Sequence, residues 1–313
     1  MTLKVMKGRL RKPLGVLLYG VEGIGKTTLA SQFPRPIFLD TEGSTVHLDV
    51  ERVPNPQDQN DAVIRSWTDL QGAMHQLIRD RGGYETVVID SADWAERLAT
   101  VALLQSEKPA KASIEDFGFG KGYVKRAESI GRMLILCDEL KRAGLNVVWV
   151  AHSTLVRVSP PDLTDGFDRW ELKLHKLVAP LFKEWADAVL FLTYKHFVVE
   201  GDDGRMKGKG GKERIIHAER SAAWDAKNRF GLPDSMPMRI EELAPMFAAS
   251  APAKPKGWRE QIADAATVAA LGEIGDRVDA AESSGRLTAE NAATLRQMID
   301  AKHNELEPAA EVA

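Results

Sequence analysis

A single cysteine, Cys137, stands among 313 residues, so no internal disulfide can form and the chain suits a reducing compartment. It lies in SIGRMLILCDELKR, among apolar residues at helical spacing, where a buried core thiol is expected. No apolar run approaches the ~18 residues needed to span a bilayer. The basic N-terminus, MTLKVMKGRLRKP, lacks the apolar stretch of a signal peptide. A cytoplasmic protein without a membrane partner is expected. An excess of one charge is also missing: 42 Lys and Arg against 45 Asp and Glu leave −3. That excludes a uniformly basic nucleic-acid coat and leaves room for a local patch. No Cys/His metal cluster, Ser-His-Asp arrangement or internal repeat stands out.

What is present, from residue 14 to about 220, is an alternation of short β-branched runs with longer amphipathic segments. LGVLLYG (14–20), PIFLD (36–40), TVVID (86–90), NVVWVAH (146–152), AVLFLTYKHFVV (188–199) and ERIIHAE (213–219) read as strands. Near-continuous apolar strands separated by helical patterns imply an α/β fold with a mostly parallel central sheet covered on both faces. KTTLASQF, stopped by Pro34, is one helix. DAVIRSWTDLQGAMHQLIRD sets Val63, Trp67, Leu70, Met74 and Leu77 at helical steps, and a third helix runs from about Val124 to Arg142, ending at Gly144. Composition shifts at 248–257, AASAPAKPKG, an Ala/Pro/Lys linker between a core (1–247) and a small helical hairpin (258–313). The hairpin stripes are Leu271, Ile274, Val278 and then Leu295, Met298, Ile299, Leu306, with Thr288 as N-cap.

GVEGIGKT (20–27) satisfies G-x-x-x-x-G-K-[ST] in full, directly after a strand and opening a helix. Gly20, Val21, Glu22, Gly23, Ile24 and Gly25 form a loop whose backbone N–H groups wrap a phosphate. Lys26 then reaches the β- and γ-phosphates, and Thr27, followed by Thr28, offers a hydroxyl to Mg²⁺. ATP with Mg²⁺ is the implied ligand. TVVIDS ends a buried strand in Asp90, the expected second element of the metal site. IFLDTEGS (37–44) brings Asp40 and Glu42 beside the phosphates, where Glu42 can orient and deprotonate the attacking water. An acidic strand-end turn with no chemical role has the same sequence. His152, ending NVVWVAH, is placed to hydrogen-bond the γ-phosphate; a structural histidine is the alternative. No arginine is positioned within the chain to neutralise charge developing there.

With these residues in hand, about residues 10–235 resemble a RecA-like ATPase, in particular the phage-encoded RecA-like proteins of the single-strand-annealing and recombination (Sak-type) group. Glu22, FLDTEG, VVIDS, EDFGFGKGY (115–123) and VAPLFKEWADAVLF (178–191) carry the resemblance. It implies a RecA-like P-loop NTPase core with Glu42 as the catalytic base. His152 departs from it, standing where RecA has glutamine, which implies altered or pH-dependent coupling. WDAKNRFGLP (224–233) resembles the Lys-x-Arg turn of DnaB-type hexameric helicases. That implies Lys227 and Arg229 acting from a neighbouring protomer, so that hydrolysis requires a ring or filament; a solvated cationic turn is the alternative.

The resemblance also implies a DNA-binding loop after the sensor strand, in STLVRVSPPDLTDGFDRWELKLHK (153–176). There Arg157 and Arg169 would meet phosphates and Trp170 would stack on a base, although Asp162, Asp165 and Asp168 nearly balance the charge. GRMKGKGGKER (204–214) reads as a glycine-rich hairpin tip carrying Arg205, Lys207, Lys209, Lys212 and Arg214 against Glu213. It suits phosphate contacts without sequence readout, or else is a solvated turn. The implied function is an ATP-hydrolysing, single-stranded-DNA-binding recombinase or annealing protein, homo-oligomeric and located in the host cytoplasm if phage-encoded. Its C-terminal hairpin would be open to a single-strand-binding or other replication or recombination protein. A DnaB-type motor or loader and a nucleotide-switched interaction protein are the alternatives.

Overall fold

Five parallel strands bring the site residues to one edge of the sheet, and the apolar runs of the sequence place them there. The computed structural model describes residues 5, 7, 12–159, 166–200, 206–250, 258–283 and 287–306, with the backbone alone for 196–200, 206–210, 248–250 and 260. They divide into two units, Met1–Ala251 and Pro252–Ala313.

In the first unit β1 (Gly15–Gly20), α1 (Lys26–Ala30), β2 (Pro36–Asp40), α2 (Trp67–Arg79), β3 (Thr86–Asp90), α3 (Ala92–Ser106) and α4 (Lys121–Arg142) alternate. There follow β4 (Asn146–Val158), β5 (Phe167–Leu172), α5 (Ala179–Trp185), β6 (Ala188–Glu200), β7 (Met206–His217), β8 (Ser235–Pro237) and α6 (Ala244–Ser250). One sheet runs β2-β3-β4-β1-β6-β7-β8, with β5 paired to β4 outside that path. The strands from β2 to β6 are parallel, whereas β7, β8 and β5 are antiparallel to their neighbours. Alternate residues bury on opposite faces, as the pleat requires. Leu17, Tyr19, Leu39, Ile89 and Trp149 pack against α2, α3, α4 and α5. Val16, Leu18, Phe38 and Val88 pack against α1 and α6. Cys137 is fully buried among them, and burial pushes its thiol up to about 12.

Register brings the site residues to one edge of the parallel strands. Gly20 pairs with His152, Asp40 with Asp90, and Asp90 with Val150. Ligands of open α/β sheets bind in the crevice at these carboxyl ends.

Several elements depart from the sequence expectation. α2 begins at Trp67, so Val63 precedes it; the Ser66 hydroxyl accepts the Asp69 N–H at 3.0 Å and fixes the helix start. Residues 153–158 and 167–172 are not irregular, because β4 continues to Val158 and pairs antiparallel with β5. β7 starts at Met206, so Lys207, Lys209 and Lys212 lie along a strand templated by the long β6, and not at a tip. Arg205 lies outside the described residues.

The second unit contains α7 (Trp258–Ala263), α8 (Val268–Ser283) and α9 (Ala289–Leu306), one helix more than the expected hairpin. Ile262, Leu271, Ile274, Val278 and Leu295 bury together. The Thr288 hydroxyl accepts the Asn291 N–H at 3.4 Å, as its N-cap position requires. Among the described residues no helix is long and apolar enough to cross a membrane.

Candidate nucleotide site

The P-loop glycines permit a path that other residues resist. Gly23 and Gly25 adopt φ of 71° and 98°, in the left-handed region, and Gly25 is the N-cap of α1. Ile24 is fully buried and pins the loop to the core. Lys26 is 6% exposed, and its Nζ donates to the carbonyls of Gly20 (3.1 Å) and Val21 (2.9 Å). Burial lowers its pKa, against the opposing charges of Asp90, Asp93 and Glu42. The Thr27 hydroxyl donates to Asp90 Oδ2 at 2.6 Å, and Ser44 donates to the same oxygen at 2.9 Å. Burial pushes Asp90 up to about 6 in spite of those two bonds. A carboxylate so desolvated is poised for a cation.

Asp40 is fully buried and serves as the organiser of the turn that follows it. Its carboxylate accepts the N–H groups of Glu42 (3.0 Å), Gly43 (2.7 Å) and Thr45 (3.0 Å), and the Thr45 hydroxyl at 2.6 Å. That turn presents Glu42, whose Oε2 accepts from Ser91 Oγ at 3.1 Å. Glu42 Oε1 lies 3.8 Å from His152 Nε2. Asp93, in the first turn of α3, holds the other edge of the imidazole: His152 Nδ1 is 3.0 Å from Oδ2, and the His152 N–H donates to Oδ1 at 3.2 Å. The Asp93 bond raises the pKa of His152, although burial opposes it. Burial pushes Asp93 up, but its bonds from His152 outweigh this and leave its pKa lowered.

These groups surround one cavity of about 650 Å³, lined by Glu22, Lys26, Thr27, Thr28, Glu42, Asp90 and His152 together with Gly23 and Gly25 of the loop. Asp93 went unnoticed in the sequence, although an acid three residues beyond a strand-end Asp, in a helix's first turn, is a usable signal. Lys173, Arg97 and Arg214 also line the cavity, so two arginines do stand in cis, contrary to expectation. Lys173 pairs with Glu22 at 3.3 Å, and Arg97 lies 4.5 Å over the Trp94 ring.

The remaining expected residues lie elsewhere. Arg169 is bonded to Asp225, which also accepts from Lys183 at 2.7 Å, and its side chain is 11% exposed. Trp170 packs on the core 6.1 Å from the Phe191 ring. Both side chains are held against the core by partners elsewhere in the chain. Arg157 is exposed and 3.5 Å from Asp168 across the ribbon. Lys212 is exposed, while Lys207 and Lys209 are placed by their backbone alone.

Lys227 Nζ donates to the carbonyls of Lys183 (3.3 Å), Glu184 (3.1 Å) and Ala186 (2.5 Å), so it caps the end of α5 and is not an extended finger. Arg229 is 60% exposed and 3.6 Å from Asp187, which accepts the Gly15 N–H at 2.9 Å. Gly15 begins β1, so Arg229 stands at the end of the sheet opposite its own P-loop.

A family model described as AAA domain (AAA_24) matches residues 12–230. Among solved structures, a KaiC-like protein from the hyperthermophilic archaeon Pyrococcus horikoshii OT3 is similar at 14% identity, over 67% of this chain and 80% of that one, with a TM-score of 0.34. No curated protein matches the sequence.

Proposed function

The chain belongs to the AAA-domain family of P-loop ATPases, and from that premise we propose that it hydrolyses ATP under the control of single-stranded DNA, as an annealing or recombination protein assembled from copies of itself. The observation carrying the hydrolytic half is the meeting of Lys26, Thr27, Asp90, Glu42 and His152 around one cavity. Among the described residues no cluster of three or more His, Cys, Asp or Glu forms a metal cage. A hydroxyl and a buried carboxylate 2.6 Å apart suit Mg²⁺ completed by phosphate and water. Thr27 and Asp90 would hold it, and it would supply charge neutralisation on the phosphates.

Glu42 takes the proton of a water that attacks the γ-phosphorus. The bond to the β–γ bridging oxygen breaks, and its electron pair stays with ADP. Ser91 and the Asp40-organised turn orient Glu42. Asp93 fixes the His152 ring so that Nε2 faces the γ-phosphate, and the bond from Asp93 favours the protonated ring, in which Nε2 donates. Arg229 acts in the cavity of a neighbouring protomer, with Lys227 positioning its turn; its place at the far end of the sheet favours a head-to-tail assembly.

For DNA, support comes from the β6–β7 ribbon, which carries Lys207, Lys209 and Lys212 and whose root lines the cavity through Arg214. Anisotropy of labelled oligo-dT measured with ATPγS, ADP or no nucleotide tests the reading. Tighter binding with ATPγS is expected. Equal affinity in all three conditions, or no binding at all, overturns it.

A further inference from the structure

The second wall of the nucleotide cavity is built by a strand pair that carries no part of the P-loop motif. β6 and β7 pair Tyr194 with Arg214, so these two side chains stand side by side on one face of the ribbon. Both meet the P-loop. The Tyr194 hydroxyl donates to the Gly23 carbonyl at 3.4 Å. Arg214 Nη1 lies 2.8 Å from the position a Cβ on Gly25 would take, so the guanidinium rests directly on that glycine. Among the described residues Arg214 has no acidic partner, because its neighbour Glu213 is paired with Lys195 at 3.1 Å. A guanidinium on a phosphate loop, with its donors unspent and facing the cavity, is built for a phosphate.

Sheet order says which phosphate. β1 carries the loop; β3 and β4, which bring Asp90 and His152, lie on one side of it, with β2 and Glu42 beyond. β6 and β7 lie on the other. A nucleotide seated on the loop therefore has its water-activating groups on one flank and Arg214 on the opposite flank. We propose that Arg214 is a phosphate-binding residue in cis that grips the diphosphate end of the nucleotide, the part that leaves as ADP, and that it anchors the β6–β7 ribbon to that end. This rests on the cavity being the nucleotide site, which the test checks separately.

The experiment is titration of mant-ADP and of ATPγS into the full chain and its R214A, R214K and K26A variants, with thermal melting of each. R214A is expected to lose about 10–100-fold in affinity for both nucleotides, a charge-assisted bond's share. R214K, which keeps the charge without the fork, is expected to recover part of that loss. K26A is expected to lose both nucleotides. If R214A binds both within twofold of the parent while K26A fails, Arg214 is no phosphate ligand and the site stands. If R214A loses ATPγS but keeps ADP, Arg214 serves the γ-phosphate and the leaving-end assignment is overturned. If K26A binds like the parent, the cavity itself is misassigned and the proposal falls with it. Should R214A melt far below the parent, R214K decides: a loss for both nucleotides smaller than that of K26A supports the assignment, and parental affinity for both, or a loss restricted to ATPγS, overturns it.

Discussion

Two antiparallel ribbons grow from the same sheet, and their cations have opposite fates. The β4–β5 ribbon starts at His152 and returns at Lys173, whose N–H donates to the His152 carbonyl at 2.9 Å. Its Arg169 and Trp170 are turned inward, one by Asp225 and the other by Phe191. The β6–β7 ribbon also reaches the candidate nucleotide cavity at its root through Arg214, and the P-loop through Tyr194, but its exposed Lys212 stays at the surface. A basic or aromatic residue on a ribbon is therefore not a DNA contact by composition alone. What decides is whether an acid or an apolar neighbour elsewhere has already claimed it.

The roots of the two ribbons differ most. H152A and D93N, at the first root, are expected to lower kcat about 10²-fold while leaving nucleotide affinity within a few-fold. Because Asp93 raises the His152 pKa, the protonated ring survives to higher pH in the parent. Its loss on the alkaline side should move to lower pH in D93N, as a kcat–pH profile would show. A D93N profile superimposable on the parent's would break the contrast by leaving Asp93 a merely structural role.

Away from the roots, K207A/K209A/K212A is expected to cut oligo-dT affinity about tenfold or more. It should also lower the slope of log K against log salt by ~2, since each lost phosphate contact removes ~0.7. R157A on the other ribbon should change affinity less than about threefold. Equal effects from the two sets would erase the distinction. R169A is expected to act on stability instead, by about 2–3 kcal/mol, because it strips a part-buried carboxylate of a partner. Its melting temperature should fall by several degrees with the salt slope unchanged.

A further expected effect is on pH. Asp90, raised by burial to about 6, must give up its proton before it can face Mg²⁺. Affinity for Mg–ADP should therefore weaken as pH falls through about 6, by up to tenfold per unit below it. D90N should bind weakly with a flatter pH dependence. In the protein without nucleotide the same shift has the reverse sense: the native state binds the proton more tightly than the unfolded chain, so this group's contribution to stability declines as pH rises from about 4 to 6.

How far the sequence discloses this site follows from how local each part is. Gly20 to Thr27 are contiguous, and their φ requirements are written in glycine. Asp40, Asp90 and His152 end apolar runs, so knowing the strands places them. Arg214 and Lys173 enter through register and chain return, which no local pattern encodes, whereas Asp93 has a local signal in the first turn of α3. Where Arg169 points is determined by Asp225, 56 residues away, which its own segment does not disclose. The partners of Lys227 are likewise hidden, being the carbonyls that end α5, a helix the hydrophobic spacing does not announce. α3, which carries Asp93, Trp94 and Arg97, is a further element that the strand-and-helix pattern leaves out.

The most direct test of a DNA-governed ATPase is steady-state ATP hydrolysis across a range of protein concentrations, with and without single-stranded DNA. Stimulation by DNA is expected, with a steeper-than-linear dependence on protein that is lost in R229A, which removes the cation supplied by the neighbour. Hydrolysis that ignores DNA and rises in strict proportion to protein would contradict it.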